Sequence, residues 1–215
     1  VLGSWSFRTL DLMVDQRVLI PRPETEAVVG HALAEFDRVG GGRDEVLVAD
    51  LGTGSGAIGL SIAAERVTAR VWCTDVSRDA LAVARANLTG LGRPARRVTI
   101  CEGSWFDGLP ADLAGALDLL VSNPPYVAAG EPLPAEVAGW EPRSALVPGT
   151  DGTEALEALI DGSVAWLRPG GALVLELAPC QASAMVDRAL SVGLITVDVR
   201  RDLAGRYRAL VARRP

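Results

Sequence analysis

The sequence predicts an α/β fold built on a doubly wound, mostly parallel seven-stranded sheet, and three observations carry that expectation. From Glu45 onward, short apolar runs alternate with longer segments whose apolar positions recur at helical spacing. A glycine-rich stretch, Asp50-Leu51-Gly52-Thr53-Gly54-Ser55-Gly56, directly follows the first of these runs. The last two apolar runs lie close enough in the chain to pair as an antiparallel hairpin. Alternating strands and helices at this spacing need right-handed crossovers that bury each helix on a parallel sheet.

The elements follow in order. Residues 7–20 carry two apolar runs, 10–14 and 18–20, on either side of Asp15-Gln16-Arg17, and read as a short β-hairpin stopped by Pro21-Arg22-Pro23. Glu24-Thr25-Glu26 opens a helix in which Val28, Val29, Ala32, Leu33 and Phe36 mark one buried face. Gly40-Gly41-Gly42 ends that unit, so residues 1–42 are expected as a hairpin and helix packed on a catalytic domain of residues 43–215. Parallel strands are expected at 46–49, 69–73, 98–101, 117–121 and 172–177, and the terminal antiparallel pair at 195–200 and 206–211. Helices are expected at 55–65, 77–88, 153–166 and 181–190, a Pro-rich loop at 124–148, and a turn at Pro169-Gly170-Gly171.

A chain of 215 residues with 49% hydrophobic side chains has enough apolar material for one buried core, which makes a single globular unit the default. The 21 basic and 27 acidic side chains give a net charge of -6, the wrong sign for an electrostatic grip on a phosphate backbone. Every basic residue is Arg, a bias that reads as GC-rich coding before any function. Cys73, Cys101 and Cys180 lack zinc or redox spacing, so no metal is expected and a reducing, cytoplasmic interior is. No run is long and apolar enough to span a membrane, and Asn87-Leu88-Thr89 is therefore read as a chance sequon. Val1 in place of Met points to an upstream segment outside this chain.

Glycines where a parallel strand turns into a helix let the backbone approach a ligand closely, and the following helix offers free amides and a positive dipole end. Asp75, expected at the end of the next strand, is placed to accept hydrogen bonds from two ribose hydroxyls. Asp50 is read as the anchor of the loop through its backbone amides. This loop alone leaves two chemistries open, because Gly54-Ser55-Gly56-Ala57-Ile58-Gly59 also satisfies the GxGxxG dinucleotide fingerprint. Nicotinamide-dependent oxidoreductase and methyltransferase stand level at this point.

Asn123-Pro124-Pro125-Tyr126, at the end of the fourth parallel strand, breaks the tie. Two prolines remove successive amide donors and fix φ, so the Asn123 side-chain amide and the Pro124 carbonyl can point rigidly at one planar NH2 group. Holding both hydrogens of that group aims its nitrogen at an activated methyl carbon, with Tyr126 packed on the flat substrate. The single imidazole, His31, lies on a helix in another segment and is read as structural, which leaves no Ser-His-Asp or Cys-His mechanism to build.

Together, Val18-Leu19-Ile20-Pro21-Arg22-Pro23-Glu24-Thr25-Glu26, the Asp50 to Gly56 loop and Asn123 to Tyr126 resemble the HemK/PrmC family of release-factor glutamine N5-methyltransferases across nearly the whole chain. Trp140-Glu141-Pro142, Ala145-Leu146 and Arg201-Asp202-Leu203-Ala204-Gly205 add to the resemblance. It implies a class I, Rossmann-like methyltransferase fold with S-adenosylmethionine as donor and S-adenosylhomocysteine as product. The implied substrate is the glutamine of the Gly-Gly-Gln motif in class I peptide chain release factors, and the enzyme is expected to be monomeric and cytoplasmic. Carried over, Gly52 to Gly56 would cradle the methionine part, Asp75 the ribose, and Ser104 and Trp105 would border the adenine. Thr25 would touch the cofactor carboxylate within a covering segment, and Asn123 to Tyr126 would hold the glutamine. The chain departs from the family at Ser104, where an Asp is usual, at Ala178, where a Gly is usual, and in showing no counterpart of the family's N-terminal helical domain. Adenine-N6 and guanine-N2 nucleic-acid methyltransferases share the Asn-Pro-Pro-Tyr run and remain an alternative, as does a silent module that binds cofactor or release factor.

Overall fold

The computed structural model describes residues 3–132 and 134–215. Seven strands form one sheet: β3 (Val46–Leu51), β4 (Ala69–Asp75), β5 (Val98–Glu102), β6 (Leu117–Ser122), β7 (Leu167–Glu176), β8 (Ile195–Arg201) and β9 (Tyr207–Arg213). Their spatial order is β5-β4-β3-β6-β7-β9-β8, parallel except at the β7-β9 and β9-β8 pairs. The chain thus winds outward from β3 to β5, returns to place β6 on the other side of β3, and winds outward again. This reversal opens a crevice at the C-terminal ends of β3 and β6, where open α/β sheets bind ligands.

Alternation along each strand sorts the core into two layers. Val48, Val121 and Val174 face a cluster with α1 (Pro23–Gly40), α2 (Ala57–Glu65) and the buried side of α3 (Arg78–Gly90). Ala49, Leu120 and Leu173 face the opposite cluster, with Leu156, Leu159 and Ile160 of α5 (Glu154–Trp166) and Met185 of α6 (Ala182–Ser191). Side chains on successive strand residues point to opposite faces, so buried runs without polar alternation are what a sheet covered on both sides requires.

Several boundaries differ from the sequence expectation, each for an identifiable physical reason. The N-terminal hairpin pairs β1 (Trp5–Phe7) with β2 (Leu10–Leu12), one strand earlier than expected, around Arg8 in the left-handed region at φ 52. Residues 18–20 form no strand, because they run into the donor-less Pro21, and Asp15 caps its own turn by accepting from the Arg17 amide at 3.0 Å. The strand partner that Met13 would need is supplied by a side chain: Asn87 Oδ1 accepts from the Met13 amide at 2.7 Å and its Nδ2 donates to the Met13 carbonyl at 3.0 Å.

α1 starts at Pro23, whose missing N–H is one the first turn does not use. The Pro-rich segment contains a short helix, α4 (Ala135–Trp140), where only loop is expected. Pro169-Gly170-Gly171 lies inside β7 as an irregularity: Leu167 pairs with Leu117 and Ala172 with Leu119. α2 begins at Ala57 rather than at Ser55, because Gly56 holds φ 88 and a Cβ there would sit 2.8 Å from Leu60 Cδ1.

Gly59, on the first turn of α2, shows why the glycine pattern reaches beyond the loop. A Cβ there would lie 2.5 Å from Cys73 Sγ and 3.0 Å from Asp50 Oδ2, so only glycine lets the helix close on β3 and β4. Gly59→Ala is expected to destabilise the chain by about 1–3 kcal/mol through overpacking. Gly30→Ala, on the exposed side of α1 with nothing within 4 Å, is expected to stabilise it by about 0.4–1 kcal/mol. Urea titration of the two variants beside the parent chain checks both signs.

Candidate active site

The glycine loop is fixed from below by two acidic residues. Asp50, at the end of β3, is 1% exposed, and its Oδ2 accepts from Thr53 Oγ1 at 2.5 Å and from the Gly59 amide at 2.9 Å. One carboxylate thereby ties the loop, through the Thr53 hydroxyl and not through a loop amide, to the helix that follows. Burial pushes its carboxyl up to about 6 against those two bonds, with the charge of Asp75 adding to the rise. Asp50 does not line the cavity described below.

Asp75 ends β4 half-buried, accepting from the Gly54 amide at 2.9 Å on Oδ2 and from the Ser77 amide at 2.9 Å on Oδ1. Each oxygen keeps a second lone-pair site, and the side chain forms part of the cavity wall. Trp105 sits across the loop at φ 46, with Thr74 Oγ1 donating to its carbonyl at 3.0 Å. Gly52, at φ 72, makes room for its ring: a Cβ there would be 3.0 Å from Trp105 Cζ3. The loop, Asp75 and Trp105 therefore form one fitted wall, with the exposed Ser104 at its rim.

A cavity of about 480 Å³ opens over this wall, within the range of small-molecule sites. Thr25, Gly52, Thr53, Gly54, Ser55, Asp75, Ser104, Trp105, Asn123 and Pro125 all line it. Gly56, Pro124 and Tyr126 do not. Its other walls had been given no site role from the sequence, although Val18, Leu19, Pro21, Pro142 and Ala145 lie in the motifs that carry the resemblance: Arg17, Val18, Leu19 and Pro21 stand on one side, and Pro142, Ser144, Ala145, Val147 and Pro148 on the other. Those two segments are clasped by Arg22, whose Nη2 donates to both Glu141 oxygens at 2.6 and 2.8 Å, with Glu141 buried. Burial raises the Glu141 carboxyl above its ordinary range, and the charge and hydrogen bonds of Arg22 oppose that rise.

Beneath Asn123 lies a polar network that the sequence reading missed. Asn123 Nδ2 is 3.3 Å from Thr25 Oγ1, and Thr25 Oγ1 donates to Glu176 Oε2 at 2.7 Å. The Tyr126 hydroxyl donates to Glu176 Oε1 at 3.2 Å instead of presenting the ring to the cavity, where a substrate-packing role had been expected. Burial and the neighbouring Glu176 carboxylate push the Tyr126 phenol well above its ordinary range. Gln181 Nε2 donates to the Tyr126 carbonyl at 3.0 Å and to the Gly152 carbonyl at 2.9 Å, which fixes the chain leaving the tetrapeptide. Neither Asn123 Oδ1 nor the Pro124 carbonyl accepts a hydrogen bond from a described residue. The signal for Glu176 was in the sequence: a lone carboxylate inside the apolar strand Leu173-Val174-Leu175-Glu176-Leu177.

His31 lies away from this site, its Nε2 3.3 Å from the Arg201 carbonyl. Among the described residues no group of three His, Cys, Asp or Glu side chains is arranged to hold a metal ion. Nor is any described helix long and apolar enough to cross a membrane.

Comparison with known proteins gives this arrangement its relatives. Residues 40–137 match the family model of the methyltransferase small domain. Among solved structures, a methyltransferase from Pyrococcus furiosus superimposes with TM-score 0.67 at 20% identity, covering 97% of this chain and 90% of that one. The hMettl16 catalytic domain superimposes with TM-score 0.71 at 15% identity, covering 95% and 74%. At those identities the likeness concerns the fold, which is the class I methyltransferase fold with its antiparallel β7-β9-β8 edge. Closer in sequence are a release factor glutamine methyltransferase of Xylella fastidiosa, 44% identical over 100% of this chain and 75% of its own length, and one of Moorella thermoacetica, 44% identical over 99% and 73%. The chain thus spans about three quarters of each of these relatives, and it belongs to the family of release factor glutamine methyltransferases.

Proposed function

We propose that this chain transfers the methyl group of S-adenosylmethionine to the side-chain nitrogen (N5) of the glutamine in the Gly-Gly-Gln motif of class I release factors. The observation that carries this reading is the pair of unused acceptors at Asn123 Oδ1 and the Pro124 carbonyl, beside a cavity walled by a glycine loop and a carboxylate. An amide NH2 has two donors to offer, and two rigid acceptors are what hold it in one orientation.

The residues present fit the donor. Gly52 and Gly54, both at positive φ, give their amides to the Thr74 carbonyl and to Asp75 but keep their carbonyls for the ammonium of the amino-acid part, and Asp75 keeps acceptor sites for the two ribose hydroxyls. Trp105 and the apolar Leu19, Ile58 and Val76 line the same cavity and offer the base apolar surface. When bound, S-adenosylmethionine supplies an electrophilic methyl carbon. The chain itself supplies placement: Asn123 and Pro124 orient the nitrogen, and the 17–21 and 142–148 segments cover the site and exclude water. In this reading residues 43–215 are the methyltransferase unit and residues 1–42 its cover, with Thr25 reaching into the site from α1. The release factor is the partner.

Mass spectrometry of a class I release factor incubated with the protein and isotopically labelled donor tests the assignment. A labelled methyl on the Gly-Gly-Gln glutamine is expected, and label elsewhere or nowhere refutes it. Two variants separate the halves of the site. Asn123→Ala is expected to leave cofactor affinity near the parent value while cutting transfer by about 100-fold or more, because the substrate amide loses both a partner and its orientation. Asp75→Ala is expected to weaken cofactor binding by about 1.5–3 kcal/mol, the scale of charge-assisted hydrogen bonds. Calorimetry with S-adenosylmethionine, set beside the transfer rates, checks the contrast; equal effects of both variants on both readouts would contradict it.

A further inference from the structure

We infer that Glu176 and Thr25 are positioning residues that decide which end of the Asn123 side-chain amide faces the cavity, an inference that rests on the amide-methylation reading above. Glu176 is 1% exposed, lies at the end of β7, and does not line the cavity, so it does not act by touching a ligand there. Its two oxygens accept from two hydroxyls, Thr25 Oγ1 at 2.7 Å and Tyr126 at 3.2 Å. A carboxylate can only accept, so the hydrogen of the Thr25 hydroxyl is committed to Glu176. That leaves the Thr25 oxygen as an acceptor on its other side, where Asn123 lies 3.3 Å away.

The polarity therefore propagates. An acceptor at Thr25 selects the NH2 end of Asn123, and the Oδ1 end is turned free, which is the end a substrate NH2 requires. An amide at position 176 could donate to Thr25 and reverse every link. The Thr25 hydroxyl would then point its hydrogen at Asn123, the Asn123 amide would turn over, and its NH2 would meet the substrate NH2, donor against donor. A group three bonds removed from the substrate would thus set the specificity of the clamp through two hydrogen bonds.

The groups around Glu176 make its charge state part of the device. Thr25 and Glu24 face it from α1, Tyr126 from the loop after β6, and Arg208 from β9. Burial raises its carboxyl above the ordinary range, opposed by the Thr25 bond, the Arg208 charge and the Tyr126 bond, while Glu24 adds to the rise. As pH falls through that raised value the carboxyl gains a proton and becomes a donor, so transfer is expected to fall on the acid side of the profile.

The test uses the full chain with a class I release factor, labelled S-adenosylmethionine, and the variants Glu176→Gln, Thr25→Val and Thr25→Ser. Glu176→Gln is expected to lower kcat by about 100-fold, with KM for the release factor and the cofactor dissociation constant each within about twofold of the parent, and to lose the acid limb. Thr25→Val is expected to lower kcat similarly, Thr25→Ser to recover most of that loss, and the double variant Thr25→Val/Glu176→Gln to be no worse than either single one, since both break one relay. The Asn123 side-chain amide protons, assigned in nitrogen-15 spectra of the protein without substrate by their loss in Asn123→Ala, report the relay without catalysis. They should exchange slowly with water in the parent and faster in Glu176→Gln and Thr25→Val. A parent-like kcat in Glu176→Gln, or amide exchange unchanged in both variants, overturns the inference. If the parent transfers no methyl to the release factor, the substrate reading fails and the exchange rates still decide the relay.

Discussion

The reversal of winding direction between β3 and β6 is the constraint on which the site depends. Crossovers from β3 run outward to β4 and β5, and the next pair of parallel strands is laid on the opposite side. The loops leaving β3 and β6 must therefore part, and the sheet cannot fill the gap between them. Most residues assigned a role in the site hang from the strand ends on one side of that gap or the other, with Thr25 reaching in from α1 and Trp105 from the segment after β5. Asp50 lies near the end of β3 and Gly52 follows it, Asn123 and Pro125 follow β6, Asp75 ends the neighbouring β4, and Glu176 ends the neighbouring β7. Parallel register brings those strand ends level, with Asp50 beside Val121 and Ser122 beside Leu175.

What turns the gap into a chemical site is buried polarity of one sign. Asp50 and Glu176 are each 1% exposed, and both are read as acceptors that orient donors above them. Burying a carboxylate costs several kcal/mol unless hydrogen bonds replace its water, and each has two such bonds. The rise in both carboxyl pKa values shows that the compensation is partial. Stability is thus spent on directionality: a hydrophobic isostere at either position would relieve the burial cost and leave Thr53 and Gly59, or Thr25 and Tyr126, with nothing to fix their hydrogens.

Legibility in the sequence followed the range of the interaction that determines each feature. The strands and helices of the sheet could be read, because period and turn chemistry are local; so could the glycine loop, Asp75 and Asn123, because strand-end placement follows from the same pattern. The hairpin was displaced because its pairing is settled at long range. Asn87, on α3, takes the Met13 hydrogen bonds that a second strand would otherwise have needed. Tyr126 was expected on the flat substrate as the last member of the tetrapeptide; its hydroxyl's partner, Glu176, lies fifty residues on, beyond the reach of any local pattern. Arg22 and Glu141 are 119 residues apart, and no periodicity connects them.

Those long-range contacts also explain why the N-terminal segment belongs to the site and not merely beside it. Arg8 donates through Nε and Nη2 to both oxygens of Glu65, the last residue of α2, while its amide and Nη1 hold Glu26 on α1. Asn87 Nδ2 donates at once to Met13 and to the Ser55 carbonyl in the glycine loop. The Arg22 clasp then closes the segment onto the loop that follows α4. The wall from Arg17 to Thr25 is therefore braced at both ends by elements of the sheet domain. Because Thr25 is a rigid point on α1 and not the tip of a free loop, its hydroxyl can hold a fixed direction, and a relay of hydrogen-bond polarity through it becomes physically possible.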